Sequence, residues 1–343
     1  MALSHAPSRW LKALDRLAAG RRSAVALTHD NPDPDAMASA AGIKWLLEER
    51  HGLPCELAYG GIIGRAENRE FVRVLKVPMV PVHRIRFGTK DFLALVDTQP
   101  ATGNHSAPLD RTIDLVVDHH PLREGGEGAG LSIVSGDYGA TSSIVTQLIR
   151  AAGLKPGPEL ATALFYGVKT DTRSLGRESN AADTEAYNWL FPLSDQTLLT
   201  RIEHPEVPRS YFVAYHHAIE AARIYGNVVL LDLGEAYTPD IVPEIAERFI
   251  QLEGAKWTVA LGRFEEELFL SVRTNDKRRN AGNKVRELTS DLGGSAGGHG
   301  QMAGARIPLS GLGKRKAKAL TEEVKSRFLN ALCVAEIEPE RLV

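Results

Sequence analysis

Cysteine is scarce: Cys55 and Cys333 are the two in 343 residues, and they lie far apart in the chain. That excludes a disulfide framework and a cysteine-built zinc cluster, and makes a cytoplasmic setting the expectation. No apolar run approaches the roughly 18 residues needed to cross a bilayer. The opening SRWLKALDRLAAG carries too many charges for the apolar core of a secretory signal, so no membrane association is expected. Neither sign of charge dominates, since 41 Lys and Arg face 43 Asp and Glu for a net charge of -2. Without a global positive field, phosphate groups must be bound through local clusters. Internal repeats and low-complexity stretches are also missing. What is present, 43% hydrophobic and 24% charged residues, is the composition of a globular chain of about two domains.

The near-continuous aliphatic runs SAVALTH (23–29), FLALVD (92–97) and TIDLVVD (112–118) predict strands buried on both faces of a parallel sheet. A helix is predicted over 35–50, where Ala36, Ala40, Ile43 and Leu47 recur at helical spacing behind Asp33 as N-cap and Pro34 as first helical residue. Further helices are expected over 139–152 and through ELATALFYGV. The fold class is therefore α/β, with helices covering a mostly parallel sheet. Pro192, Pro205 and Pro208 punctuate 191–210 and mark a junction. Residues 1–192 are read as a metal-binding domain, 193–222 as linker and connecting helix, and 223–343 as a smaller α+β domain. That last part offers strand NVVLLDL, helix VPEIAERFIQL and the hairpin-like pair KWTVALGRF and ELFLSVRT. A helix near 282–291, a Gly-rich loop, a strand near 304–309 and a helix near 313–330 follow.

Candidate ligands stand at the ends of these runs. His29-Asp30-Asn31-Pro32-Asp33-Pro34-Asp35 follows the first strand, Asp97 ends the second, Asp118-His119-His120 ends the third, and Asp171 sits in Lys169-Thr170-Asp171-Thr172-Arg173. Each has a plainer explanation alone: Asp33 as a cap, Asp35 as a dipole partner, His29 as a core histidine, Asp97 and Asp171 as turn residues. Four segments delivering such groups to one edge of a sheet point instead to a metal site, because open α/β sheets place their sites at the carboxyl ends of strands. Histidine and carboxylate without cysteine select Mn²⁺, Mg²⁺ or a similar ion. More than four ligands call for two ions, an arrangement suited to hydrolysis of a phosphate ester.

In the second domain Arg273 closes a strand and is followed by Lys277, Arg278, Arg279, Lys284 and Arg286. Backbone N–H groups at Gly293, Gly294, Gly297 and Gly298 are candidates for an anion cradle, with His299 as a further donor. The basic run GKRKAKAL at 313–320 reads as a solvated helix face. His216 and His217 are helix neighbours that cannot chelate one ion and read as structural.

The segments HDNPDPDA, Val96-Asp97, VDHHP and TDT, in this order, resemble the four motifs of the DHH phosphoesterase family, and GGSAGGHGQMAG resembles the loop of the DHH-associated C-terminal domain. Within the family the likeness is to bacterial oligoribonucleases that also act as 3'-phosphoadenosine 5'-phosphate phosphatases, the NrnA type. The resemblance implies that His29 and Asp33 bind one divalent ion, that Asp35, His119 and Asp171 bind the other, and that Asp97 bridges them. It implies Mn²⁺, with Mg²⁺ or Co²⁺ as alternatives, a water nucleophile, and His120 facing the scissile phosphate. Arg273 and His299, beside Gly297 and Gly298, would hold a substrate phosphate. Asp118 is expected to orient a ligand imidazole. Pro34, Arg173 and Met302 depart from the family pattern without removing a ligand.

The expected function is thus hydrolysis of short oligoribonucleotides or 3'-phosphoadenosine 5'-phosphate, with short RNA or a phosphorylated nucleotide as partner. Other readings are a family II pyrophosphatase-like enzyme, a hydrolase of linear dinucleotides, or a catalytically silent nucleotide-binding regulator. A homodimer is among the assemblies the sequence permits.

Overall fold

Aliphatic strands with no polar face need cover on both sides, and the first sheet is built accordingly. A computed structural model describes residues 6–100, 102–108, 111–125, 128–177, 179–276 and 278–343, apart from the side chain of His299. The chain divides into two units, Met1–Pro205 and Glu206–Val343. The first contains α1 (Ala6–Ala18), β1 (Ala24–Thr28), α2 (Pro34–His51), β2 (Cys55–Tyr59), α3 (Ala66–Leu75) and β3 (Met79–Pro81). It continues with β4 (Phe92–Val96), β5 (Leu115–Asp118), β6 (Leu131–Val134), α4 (Thr141–Ala151), α5 (Pro158–Asp171), α6 (Ala181–Leu190) and α7 (Gln196–Glu203).

The six strands run parallel in the order β3-β2-β1-β4-β5-β6. Every residue of β1 and β4 is buried, as their unbroken aliphatic character predicts. Ala24, Ala26, Phe92, Ala94 and Val96 point into one core layer, and Val25, Leu27, Leu93 and Leu95 into the other. This is the order of a doubly wound sheet, in which loops at the carboxyl ends of the central strands border a crevice. Asp33 caps α2 as expected, accepting a 3.0 Å hydrogen bond from the Ala36 backbone N–H, and Pro34 opens the helix. Helices α2, α4 and α5 pack closely because of two glycines. A Cβ on Gly42 would lie 2.5 Å from Val145, and one on Gly167 would lie 2.3 Å from Ser142 Oγ and 3.0 Å from Asp35 Oδ1.

The second unit contains α8 (Arg209–Ala221), β7 (Arg223–Tyr225), β8 (Val228–Glu235), α9 (Ile241–Phe249), β9 (Trp257–Phe264) and β10 (Glu267–Thr274). Then come α10 (Ala281–Thr289), β11 (Ser295–His299), β12 (Met302–Pro308), α11 (Lys314–Ala331) and β13 (Glu340–Arg341). Its sheet has the order β11-β12-β10-β9-β8-β7-β13, antiparallel except for the β8–β9 pair, and is α+β as expected. The Gly-rich segment is not a loop: Ser295–His299 is an edge strand, with Gly297 opposite Gly304 and Gly298 opposite Ala303. The glycines let α10 approach, since a Cβ on Gly282 would stand 2.0 Å from the Gly298 carbonyl oxygen. Among the described residues, no helix is long and apolar enough to cross a membrane.

Candidate metal centre

Four chain segments reach the carboxyl edge of the first sheet. His29 follows β1, Asp33 caps α2 and Asp35 lies in its first turn; Asp97 follows β4, Asp118 ends β5 with His119 and His120 next, and Asp171 closes α5. Asp97 adopts φ +60°, the left-handed region that a non-glycine residue seldom enters, while its backbone N–H donates to the Val117 carbonyl at 2.8 Å. Such backbone strain is typically held at sites where side-chain direction matters.

The side chains converge in three groups whose ligand atoms lie within 4.8 Å of one another: His29, Asp33 and Asp97; Asp35, His119 and Asp171; and Asp97, His119 and His120. Asp97 joins the first two sets. Its Oδ2 is 3.5 Å from His29 Nε2 and its Oδ1 is 3.7 Å from His119 Nε2, while the carboxylate is 2% exposed. His29 Nε2 is also 3.8 Å from Asp33 Oδ1, and His119 Nε2 is 3.2 Å from Asp171 Oδ2. All six expected ligands are therefore brought together.

The surroundings determine which atoms face inward. His29 Nδ1 pairs with the Asp30 carbonyl at 2.9 Å and His119 Nδ1 with the Tyr138 carbonyl at 3.2 Å, so each ring turns Nε2 to the carboxylates. The Nε2 of His119 is buried without a hydrogen bond of ordinary geometry. A carbonyl on one ring nitrogen and an open, inward second nitrogen is the usual arrangement of a metal-binding histidine, so the donor set fits a divalent cation. The sequence reading missed the residues that fix the carboxylates. Thr141 Oγ1 donates to Asp97 Oδ1 at 2.7 Å and accepts from the His119 N–H at 3.1 Å. The N–H groups of Thr141 and Ser142 at the start of α4 donate to the two oxygens of Asp35 at 2.7 and 2.9 Å. The Thr-Ser pair just ahead of an apolar helical run was the available signal.

Asp118 orients His120: its Oδ1 accepts from that residue at both Nδ1 (2.8 Å) and the backbone N–H (3.1 Å). Its Oδ2 accepts from Gln99 Nε2 at 2.7 Å, and Gln99 was also missed.

Crowding carboxylates and imidazoles into one site shifts the titration of several of them. Burial, then the neighbouring charges of Asp171 and Asp97, push the Asp35 carboxyl well up; burial and the charge of Asp33 raise Asp171 to about 6. Burial works against a charged His29 and His119, yet Asp33 and Asp97 for the one and Asp171 for the other outweigh it, so both lie well above the ordinary histidine range. Burial likewise opposes the charged form of Asp33, but the His29 imidazole holds that carboxyl below its usual range. Protons shared among close carboxylates and imidazoles occupy the positions a cation would take.

In the second unit, Arg273 is nearly buried on β10, opposite Met302, and its Nη1 donates to Ser271 Oγ at 2.8 Å and the Val272 carbonyl at 3.1 Å. A Cβ built on Gly297 would meet nothing within 4 Å, so that side of β11 is open; one on Gly298, at φ +132°, would strike Ala303. Lys277 and the side chain of His299 lie outside the described residues. Arg278 and Arg279 are exposed. His216 and His217 are exposed on α8, where the sequence reading took them as structural.

Residues 24–168 match the DHH family, N-terminal domain, and residues 225–330 match the DHHA1 domain. The chain thus carries a match to each of these two domains, in the expected order. An uncharacterized protein of Methanocaldococcus jannaschii is 34% identical over 319 residues, covering 91% of this chain and 64% of its own, so the chain spans less than two thirds of that relative. A probable manganese-dependent inorganic pyrophosphatase of Streptococcus agalactiae is 30% identical over 148 residues, 42% of this chain and 46% of its own. An exopolyphosphatase-related protein of Bacteroides fragilis shares the fold, with a TM-score of 0.72 at 16% identity over 94% of this chain and 97% of its own.

Proposed function

We propose that this chain is a phosphoesterase that uses two divalent cations, Mn²⁺ foremost, to hydrolyse short oligoribonucleotides or 3'-phosphoadenosine 5'-phosphate. The observation that carries the proposal is the position of Asp97, whose two oxygens face two different donor sets. His29 and Asp33 complete one set; Asp35, His119 and Asp171 complete the other. A bound cation pair would acidify a water and neutralise phosphoryl oxygens. The protein's own residues do the rest. Thr141 fixes Asp97, the start of α4 fixes Asp35, and the Asp30 and Tyr138 carbonyls fix the two ligand imidazoles. His120, held by Asp118, is the donor aimed at charge developing on the phosphoryl group. In the second domain Arg273, Gly297, Gly298 and His299 hold a substrate phosphate away from the scissile one.

The DHHA1 domain and its basic stretch favour a nucleotide over pyrophosphate, although the manganese-dependent pyrophosphatase relative supports the same metal chemistry. The test offers Mn²⁺-loaded protein 5'-labelled two- to five-mers, 3'-phosphoadenosine 5'-phosphate, pyrophosphate and a small chromogenic phosphodiester, with and without chelator. Chelator-sensitive hydrolysis of the nucleotide substrates is expected. Arg273→Ala should lower kcat/KM on these by about 10- to 100-fold, since a charge-assisted hydrogen bond contributes about 1.5–3 kcal/mol, and should spare the chromogenic ester. Turnover of pyrophosphate alone would overturn the substrate assignment, and nucleotide binding without turnover would support a silent regulator.

A further inference from the structure

Asp118 and His120 form a pair, but Asp118 cannot set its own direction: a carboxylate on a strand end turns about its side-chain bonds unless both oxygens are engaged. One oxygen receives the two His120 N–H groups; the other receives Gln99. Gln99 is fully buried in the segment after β4, two residues beyond the shared carboxylate Asp97. Its amide is used completely. Nε2 donates to Asp118 Oδ2 at 2.7 Å and to the Pro121 carbonyl at 3.2 Å, and Oε1 accepts from the Arg123 backbone N–H at 2.9 Å. Its own carbonyl accepts from Thr102 Oγ1 at 2.7 Å.

These bonds tie the segment after β4 to the 118–123 segment on both sides of His120. A buried amide with donors and acceptor all matched is rigid and costly to misplace. We infer that Gln99 is a positioning residue for the hydrolytic step: through Asp118 it fixes the tautomer and direction of the His120 ring, so that Nδ1 stays on the carboxylate and Nε2 is presented to the substrate phosphoryl group. This rests on the role given to His120 above. Gln99 touches none of the six residues assigned to the cations, so its effect belongs in turnover and not in metal content.

The test is a double-mutant cycle between Gln99 and His120, read on Mn²⁺-dependent hydrolysis of a diribonucleotide. Gln99→Glu keeps the acceptor for Arg123 and removes the donor to Asp118; Gln99→Met is uncharged and of similar length, and serves if the first variant fails to fold. Each should lower kcat by about 10- to 100-fold, the usual cost of losing an outer partner of a functional imidazole. KM and bound Mn²⁺ should match the wild type. In a His120→Ala background the same Gln99 change should alter kcat less than about twofold, because coupled residues do not add. An equal loss in both backgrounds, an unchanged kcat in the Gln99 variants, or loss of Mn²⁺ from them would overturn the inference while leaving the role of His120 standing. An unchanged kcat in His120→Ala alone would instead overturn that role, and this inference with it.

Discussion

At His29 and His119 a backbone carbonyl holds Nδ1, and that decides which nitrogen faces the carboxylates. In the ion-free protein Asp171 and the two imidazoles keep protons that cations must displace. Asp171, raised to about 6, is protonated below that pH, and His29 and His119, raised well above the ordinary range, retain protons near neutrality. Cation binding releases these protons, so it strengthens as pH rises and weakens as pH falls. The apparent Kd for Mn²⁺ should grow by about tenfold per pH unit for each proton displaced, between about pH 8 and about pH 5. Calorimetric titration with Mn²⁺ across that range checks it; a Kd independent of pH would contradict the proton-occupied site. The six acidic and imidazole residues were legible in the sequence because each stands where an aliphatic run stops or an apolar helix starts or stops. The partners of Thr141 and Gln99 were not, since a hydroxyl or amide gives no sign of its partner until the fold brings a distant carboxylate to it.

Element by element, the legible parts were those with a long, unambiguous period. β1, β4, α2 and α5 read clearly, the strands as unbroken aliphatic runs and α2 from a proline and a cap. The short edge strands β3 and β6, of 3 and 4 residues, offer too few positions for a pattern to register. β11 went unrecognised for a different reason: in Ser-Ala-Gly-Gly-His there is almost no side chain to alternate, and what glycine signals there is close packing under α10. The turn after α5 carries a cost the sequence conceals. Arg173, Ser174 and Leu175 take φ values of +48°, +57° and +65°, three successive left-handed residues that begin two positions beyond Asp171. A non-glycine residue gives up about 1–2 kcal/mol in that conformation. Arg173→Gly should therefore raise the melting temperature by about 2–4 °C, the shift expected for about 1 kcal/mol in a domain of this size. Thermal unfolding checks it, and an unchanged or lowered midpoint would remove strain from the account of this turn.

On the scale of the whole molecule, the proposed function puts chemistry in one unit and grip in the other. The first gathers imidazole and carboxylate at one sheet edge; the second offers a nearly buried arginine, an open glycine strand and exposed cations on a mixed sheet. Net charge near zero gives no sign of this division, because local clusters do not show in a sum over the whole chain. The central claim is that one carboxylate, Asp97, serves two cations. Anomalous diffraction from crystals grown in saturating Mn²⁺ tests it most directly. Two peaks are expected in each chain, about 3.5–4 Å apart, one beside His29 and Asp33 and one beside Asp35, His119 and Asp171, with Asp97 between them. A single peak, or two peaks without Asp97 between them, would contradict it.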